Sequence, residues 1–239
     1  MQGINYDEFA RTELLHWQEK MQKEPDLFDK ISKGAQTRIN KLIPEKAHRM
    51  ITSTIQKMVE AVLFGAKYTT ATPLADVPLL FRDNQMQERI LFYRHSAVAE
   101  GAITGAGGIL LGLADFPLLL GIKIKLLFDA AAIYGFDVKE YKERLYILYI
   151  FQLTFSSRSK RKETFSILRN WDEYSRTLPS SPEEFDWRSF QQEYRDYIDL
   201  AKMAQLLPFV GAAVGAVANY KLINQLGESA KNAYRMRIL

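Results

Sequence analysis

Apolar positions recur every three to four residues along most of the chain, and no stretch alternates as a half-buried strand does. Residues 5–23 set Phe9, Leu14, Leu15 and Trp17 among charges and stop before Pro25, which predicts an amphipathic helix. A short second helix is expected over 26–42. A third starts with Pro44 in its first turn and runs to about 68 on a stripe of Met50, Ile51, Ile55, Met58, Val59 and Val62. Another runs from about 78 to the glycines near 101, and residues 101–135 form the apolar centre. "FDVKEYKERLYILYIFQLTF" extends helix to about 155, and "SSRSKRKE" is a polar junction. Residues 160–177 predict a charged amphipathic helix, and "LPSSPEEFDW" reads as a linker-like connection. From 182 the chain is expected to be helical to the end, bent or restarted at Pro208. The expected fold is all-α, a multi-helix bundle with glycine-rich apolar hairpins in its core, in a single domain over 1–239.

Two windows raise the question of a membrane span. From Gly101 to Ile122 the one charge is Asp115, and from Met203 to Tyr220 there is none. A span needs roughly 20 apolar residues. Asp115 and Pro117 divide the first window, whose glycine-rich part would reach about 21 Å as a helix. Pro208 divides the second. Both windows therefore read as buried core helices, with a re-entrant or interfacial hairpin as the alternative. "GAITG", "GILLG" and "GAAVG" place Gly101, Gly105, Gly108, Gly112, Gly211 and Gly215 at small-xxx-small spacing. That spacing makes a groove for another backbone, and predicts packing of helix 101–112 against helix 209–222.

"LADVPLLF" at 74–81 is echoed by "LADFPLLL" at 113–120. Asp76 and Asp115 each precede a proline by two residues, which predicts two capped helix starts. The alternative makes the aspartates a pair that binds a cation or a substrate amine, with His95 and Glu100 as further candidate pocket residues.

Composition narrows the function classes. Apolar residues are 47% and charged residues 25% of the 239, as in a globular protein. The net charge of +4 suits an anionic membrane surface and is too weak to predict nucleic-acid binding. Cysteine is absent, which excludes disulfides and thiolate chemistry and fits a reducing compartment. The N-terminal stretch has no secretory pattern. His16, His48 and His95 lack metal-ligand spacing, and the glycines at 101–112 match neither phosphate-loop nor dinucleotide patterns. No catalytic residue, metal site or cofactor is expected. Arg158, Lys160, Arg161 and Lys162 cluster where a helix should start, a solvated turn or an anchor for anionic lipid headgroups. Lys231, Arg235 and Arg237 suit the end of the last helix.

Taken in order, "TGAGGILLGLADFP" from Thr104, "YGFD" from Tyr134, "PFVGAAVGAVAN" from Pro208 and "AYRMR" from Ala233 resemble the EcsC protein family over essentially the whole chain. The matching positions are Thr104, Gly105, Gly107, Gly108, Gly112, Asp115, Pro117, Tyr134, Gly135, Pro208, Gly211, Gly215 and Asn219. The resemblance implies a bacterial, cytoplasmic-side protein associated with the membrane or with ABC transporter subunits, and it implies no reaction. The function expected is thus a non-enzymatic accessory protein, peripheral to the membrane. The alternative is a lipid-binding or lipid-modifying protein with an apolar pocket between the hairpins.

Overall fold

A computed structural model describes residues 6–23, 45–64, 72–104, 108–186, 188–190, 194, 198 and 212–239. Among them the regular elements are all helical, as the periodicity predicts. They are α1 (Tyr6–Gln22), α2 (Glu45–Phe64), α3 (Leu79–Thr104), α4 (Gly108–Tyr134), α5 (Tyr141–Phe155), α6 (Arg158–Arg169), α7 (Trp171–Thr177), a 3-10 turn at Pro182–Glu184, and α8 (Ala212–Ile238). An isolated antiparallel bridge joins Ser156 to Ile198. The helix expected over 26–42 and the bend expected at Pro208 lie outside the described residues.

The core is built round α5. Apart from Lys142 and Arg144, every residue of that helix is buried. A helix that is apolar on all sides must be enclosed, and α2, α4, α6 and α8 pack round it. The stripe predicted on α2 serves this purpose: Ile51, Ile55, Met58, Val59 and Val62 are buried against α4 and α5. The helix expected over 160–177 is divided at Asn170, which lets Trp171 turn inward against the rings of Tyr146 and Tyr149.

Three long helices, α3, α4 and α8, form the second part of the bundle. Ile90 meets Gly227 and Arg94 lies over Tyr220, so α3 and α8 run antiparallel. Lys123 meets Asn219 and Tyr134 stacks on Tyr234, so α4 and α8 run parallel. Among the described helices the packing of α3 along α8 is the most extensive. A Cβ at Gly227 would stand 2.4 Å from the Ile90 side chain, so glycine is what allows these two backbones to close.

The two echoed octets have different structures. The second is not a helix start, because α4 runs unbroken from Gly108 to Tyr134 with Pro117 inside it. Burial of Phe116, Leu119 and Leu120 holds the helix together across the proline. The first does precede a helix, but Asp76 is not its cap. Asp76 is exposed at φ +52°, and the Pro78 carbonyl accepts the first bonds, from the N–H groups of Phe81 and Arg82. No helix among the described residues is long and apolar enough to cross a membrane.

Candidate functional site

The "YGFD" segment ends α4. Gly135 has φ +92°, a conformation that costs an L side chain roughly 1–2 kcal/mol. The Gly135 N–H donates to the Ala132 carbonyl at 3.1 Å and the Phe136 N–H to that of Ala131 at 2.9 Å, the paired bonds of a glycine-terminated helix. Arg82 Nη1 donates to the carbonyls of Ile133 (2.7 Å) and Leu74 (3.0 Å), and the Leu74 N–H donates to Ala132 (2.8 Å). The last carbonyls of α4 thereby clamp the 72–78 loop, which fixes where α3 begins.

That clamp sits beside a buried ionic cluster. Arg235, on α8, is 1% exposed, and Asp83, on α3, is 6% exposed. Arg235 Nε and Nη2 both donate to the Asp83 carboxylate, at 3.1 and 2.7 Å, and Nη1 donates to Glu13 on α1 at 2.9 Å. The Tyr6 hydroxyl donates to Asp83 Oδ2 at 2.8 Å, and the Tyr134 hydroxyl donates to Oδ1. A carboxylate taken from water needs such partners, because an unpaired buried charge costs several kcal/mol. Burial, and then Asp83, push the Tyr6 phenol up to about 12 and Tyr134 well above its usual range. Burial alone would lower the Arg235 guanidinium, but hydrogen bonds and charge from Asp83, with Glu13, hold it above its ordinary value. One cluster therefore ties together α1, α3, α4 and α8.

A second layer lies next to the first. Arg237 Nη1 donates to Glu143 Oε2 at 2.6 Å, and the Tyr234 hydroxyl donates to Oε1 at 2.7 Å. The Arg237 guanidinium lies 3.7 Å from the centre of the Phe136 ring and 4.5 Å from that of Tyr146. Tyr234 stacks between Tyr134 and Phe136, with centroids at 5.6 and 5.3 Å. Burial raises the Glu143 carboxyl even though Arg237 and Tyr234 oppose it. The "YGFD" and "AYRMR" segments, far apart in the chain, thus meet in one place.

Two further charged positions lie along the three long helices. Lys123 is fully buried, and its Nζ donates to Asn219 Oδ1 at 3.0 Å and to the Leu119 carbonyl at 3.2 Å. Asp129 accepts from the Tyr93 hydroxyl at 2.8 Å and from Lys125, with Arg89 at 3.8 Å. No group of three His, Asp or Glu among the described residues is placed to hold a metal.

The sequence-predicted residues separate. Leu74 bonds to Ala132, and Asp115 lies 17 positions earlier on the same helix, so Asp76 and Asp115 are about 25 Å apart along α4 and form no pair. His95 is exposed on α3, and Glu100 lies further along that helix with its side chain outside the described set. Gly101 is in α3, Gly108 and Gly112 are in α4 and Gly215 is in α8, whereas Gly105 and Gly211 are outside the described residues. Arg158, Lys160, Arg161 and Lys162 do open α6, where Lys160 pairs with Glu163 at 3.1 Å.

The family model described as the EcsC protein family matches residues 8–239. The chain belongs to the EcsC protein family. It is 47% identical to Protein EcsC of Bacillus subtilis (strain 168), over 95% of this chain and 94% of that one. It is 28% identical to an uncharacterized protein, YdbA, of the same organism, over 94% of this chain and 90% of that one. No solved structure matches it. Of the residues that carry the resemblance, Tyr134 donates to Asp83, Gly135 ends α4 in the clamp and Asn219 holds Lys123.

Sequence reasoning misses Asp83, Glu143 and Lys123, and it finds in Arg235 and Arg237 only cations that suit the end of the last helix. Both are ion-pair partners, Arg235 buried and Arg237 partly buried. One signal was present: residues two apart differ by about 200° round a helix, so arginines at 235 and 237 beside Tyr234 lie on opposite faces. Both can be paired only where the helix end is wrapped from both sides.

Proposed function

We propose that this EcsC-family protein is a non-catalytic accessory protein that works at the cytoplasmic face of the membrane beside an ABC transporter. The observation that carries the reading is the use made of its buried charges. Asp83, Arg235, Glu143 and Arg237 satisfy one another and brace the helices, which is the chemistry of a scaffold. Its mild positive charge and its two long windows, one with a single acid and one with no charge, favour a lipid surface over a soluble partner alone. Co-purification from native membranes tests the reading. The transporter's ATPase or membrane subunit should be enriched with the tagged protein, and a tagged protein that stays in the supernatant without either would overturn it.

A further inference from the structure

Resting on that membrane reading, we infer which end of the molecule meets the bilayer: the end of α3, α4 and α8 remote from the Asp83–Arg235 cluster enters one leaflet. The register of the three helices carries the argument. Asp83, Tyr134 and Arg235 meet at one end, while Arg94 lies over Tyr220 and Lys123 holds Asn219 further along. Beyond that level α3 continues to Thr104, α4 extends back to Gly108 and α8 back to Ala212. The charged residues in these extensions are Glu100 and Asp115 alone.

Along α4 and α8 the described surface changes character in the same direction, although Leu80 and Phe81 are also exposed at the cluster end of α3. On α4, Leu118 is 56% exposed, with Lys125 two turns behind it on the same face. On α8, Val217 is 54% exposed, with Lys221 exposed one turn behind it. Both α4 and α8 thus present an apolar residue ahead of a lysine, and Tyr220 and Arg94 stand at the level of the lysines. Apolar tips followed by a cationic and aromatic collar match a bilayer with anionic headgroups. From Arg94 to Thr104 and from Lys221 to Ala212 the helices advance about 15 Å, half of a hydrocarbon core about 30 Å thick. Two acids in the tip set a cost on passing deeper.

The chain has no cysteine, so single labels are clean. Leu118→Cys, Val217→Cys and Lys162→Cys, each carrying an environment-sensitive fluorophore, are mixed with phosphatidylcholine–phosphatidylglycerol vesicles. Labels at 118 and 217 should shift to the blue and be quenched by nitroxides on the acyl chains, while the label at 162 keeps its aqueous emission. Lys221→Glu should weaken vesicle binding by more than roughly fivefold without changing the melting temperature. Bound protein with 118 and 217 still in water, or with 162 protected in their place, overturns the assignment of this end and leaves membrane association standing. No binding to vesicles of any composition overturns both.

Discussion

Arg235 and Asp83, 152 residues apart, form a two-pronged ion pair in the interior of the bundle, with the closest approach at 2.7 Å. The pair holds the last helix to the start of α3 and, through Tyr6 and Glu13, to the first helix. Removing one member leaves a buried charge without its partner, which costs about 3–5 kcal/mol. Arg235→Met and Asp83→Leu are each expected to lower stability by that amount, as read from urea denaturation. The double variant should recover a large part of the loss, because no lone charge remains. Arg235→Lys should not rescue, since an ammonium cannot make the paired contact. Additive losses in the double variant would refute this account.

Gly135→Ala should destabilise by more than about 2 kcal/mol. The φ of +92° costs roughly 1–2 kcal/mol for a residue with a Cβ. That Cβ would also stand 2.9 Å from the Leu74 carbonyl oxygen and 3.1 Å from Arg82 Nη1. Thermal unfolding of the variant measures the effect, and an unchanged melting temperature would mean that the clamp is not built as described.

The two prolines of the echoed octets should respond with opposite signs. Pro117 lies inside α4, where proline costs about 3 kcal/mol relative to alanine in an unadapted helix. Pro117→Ala is expected to raise stability by more than about 1 kcal/mol. Pro78 ends a loop, where its ring restricts the unfolded chain, and Pro78→Ala should lower stability by about 0.4–1 kcal/mol. Matched denaturation curves decide; a loss of stability in Pro117→Ala would point to a helix start at Asp115 after all.

Alkaline pH should unfold the protein through its phenols. Burial raises Tyr93, Tyr134, Tyr146, Tyr194 and Tyr234, and it raises Tyr6 to about 12. The unfolded chain ionises these groups near 10.0, so the stability they supply is complete below that pH and is lost as pH rises through the folded values. Ultraviolet titration of phenolate should therefore show a delayed, cooperative step that coincides with loss of helical circular dichroism. Smooth ionisation near the ordinary value, with the helices intact, would contradict the burial.

Much of the fold is legible in the chain because it depends on local periodicity. The stripe of Ile51, Ile55, Met58, Val59 and Val62 identifies both a helix and its inward face. The helix expected to run on from Phe136 is interrupted instead: the chain leaves α4 at Gly135, in a conformation that glycine takes cheaply, and α5 starts at Tyr141. The interior ionic cluster was not legible. Asp83 lies in a polar stretch of α3 and Arg235 in the basic end of α8, and each alone looks like a solvated charge.

The echoed octets separate the two kinds of information. Sequence by itself determined that the fold is all-α and that the windows at 101–122 and 203–220 carry almost no charge. For "LADFPLLL" the aspartate–proline pattern pointed to a helix start, and the structure overturns that expectation. Tertiary structure decided. At 74–81 the backbone bonds of Leu74 are taken by Ala132 and Arg82, which holds Asp76 outside the helix. At 113–120 burial of Phe116, Leu119 and Leu120 keeps the helix running through its proline. Short strings set local preferences of a few kcal/mol, and the packing partners, remote in sequence, are what outweigh them.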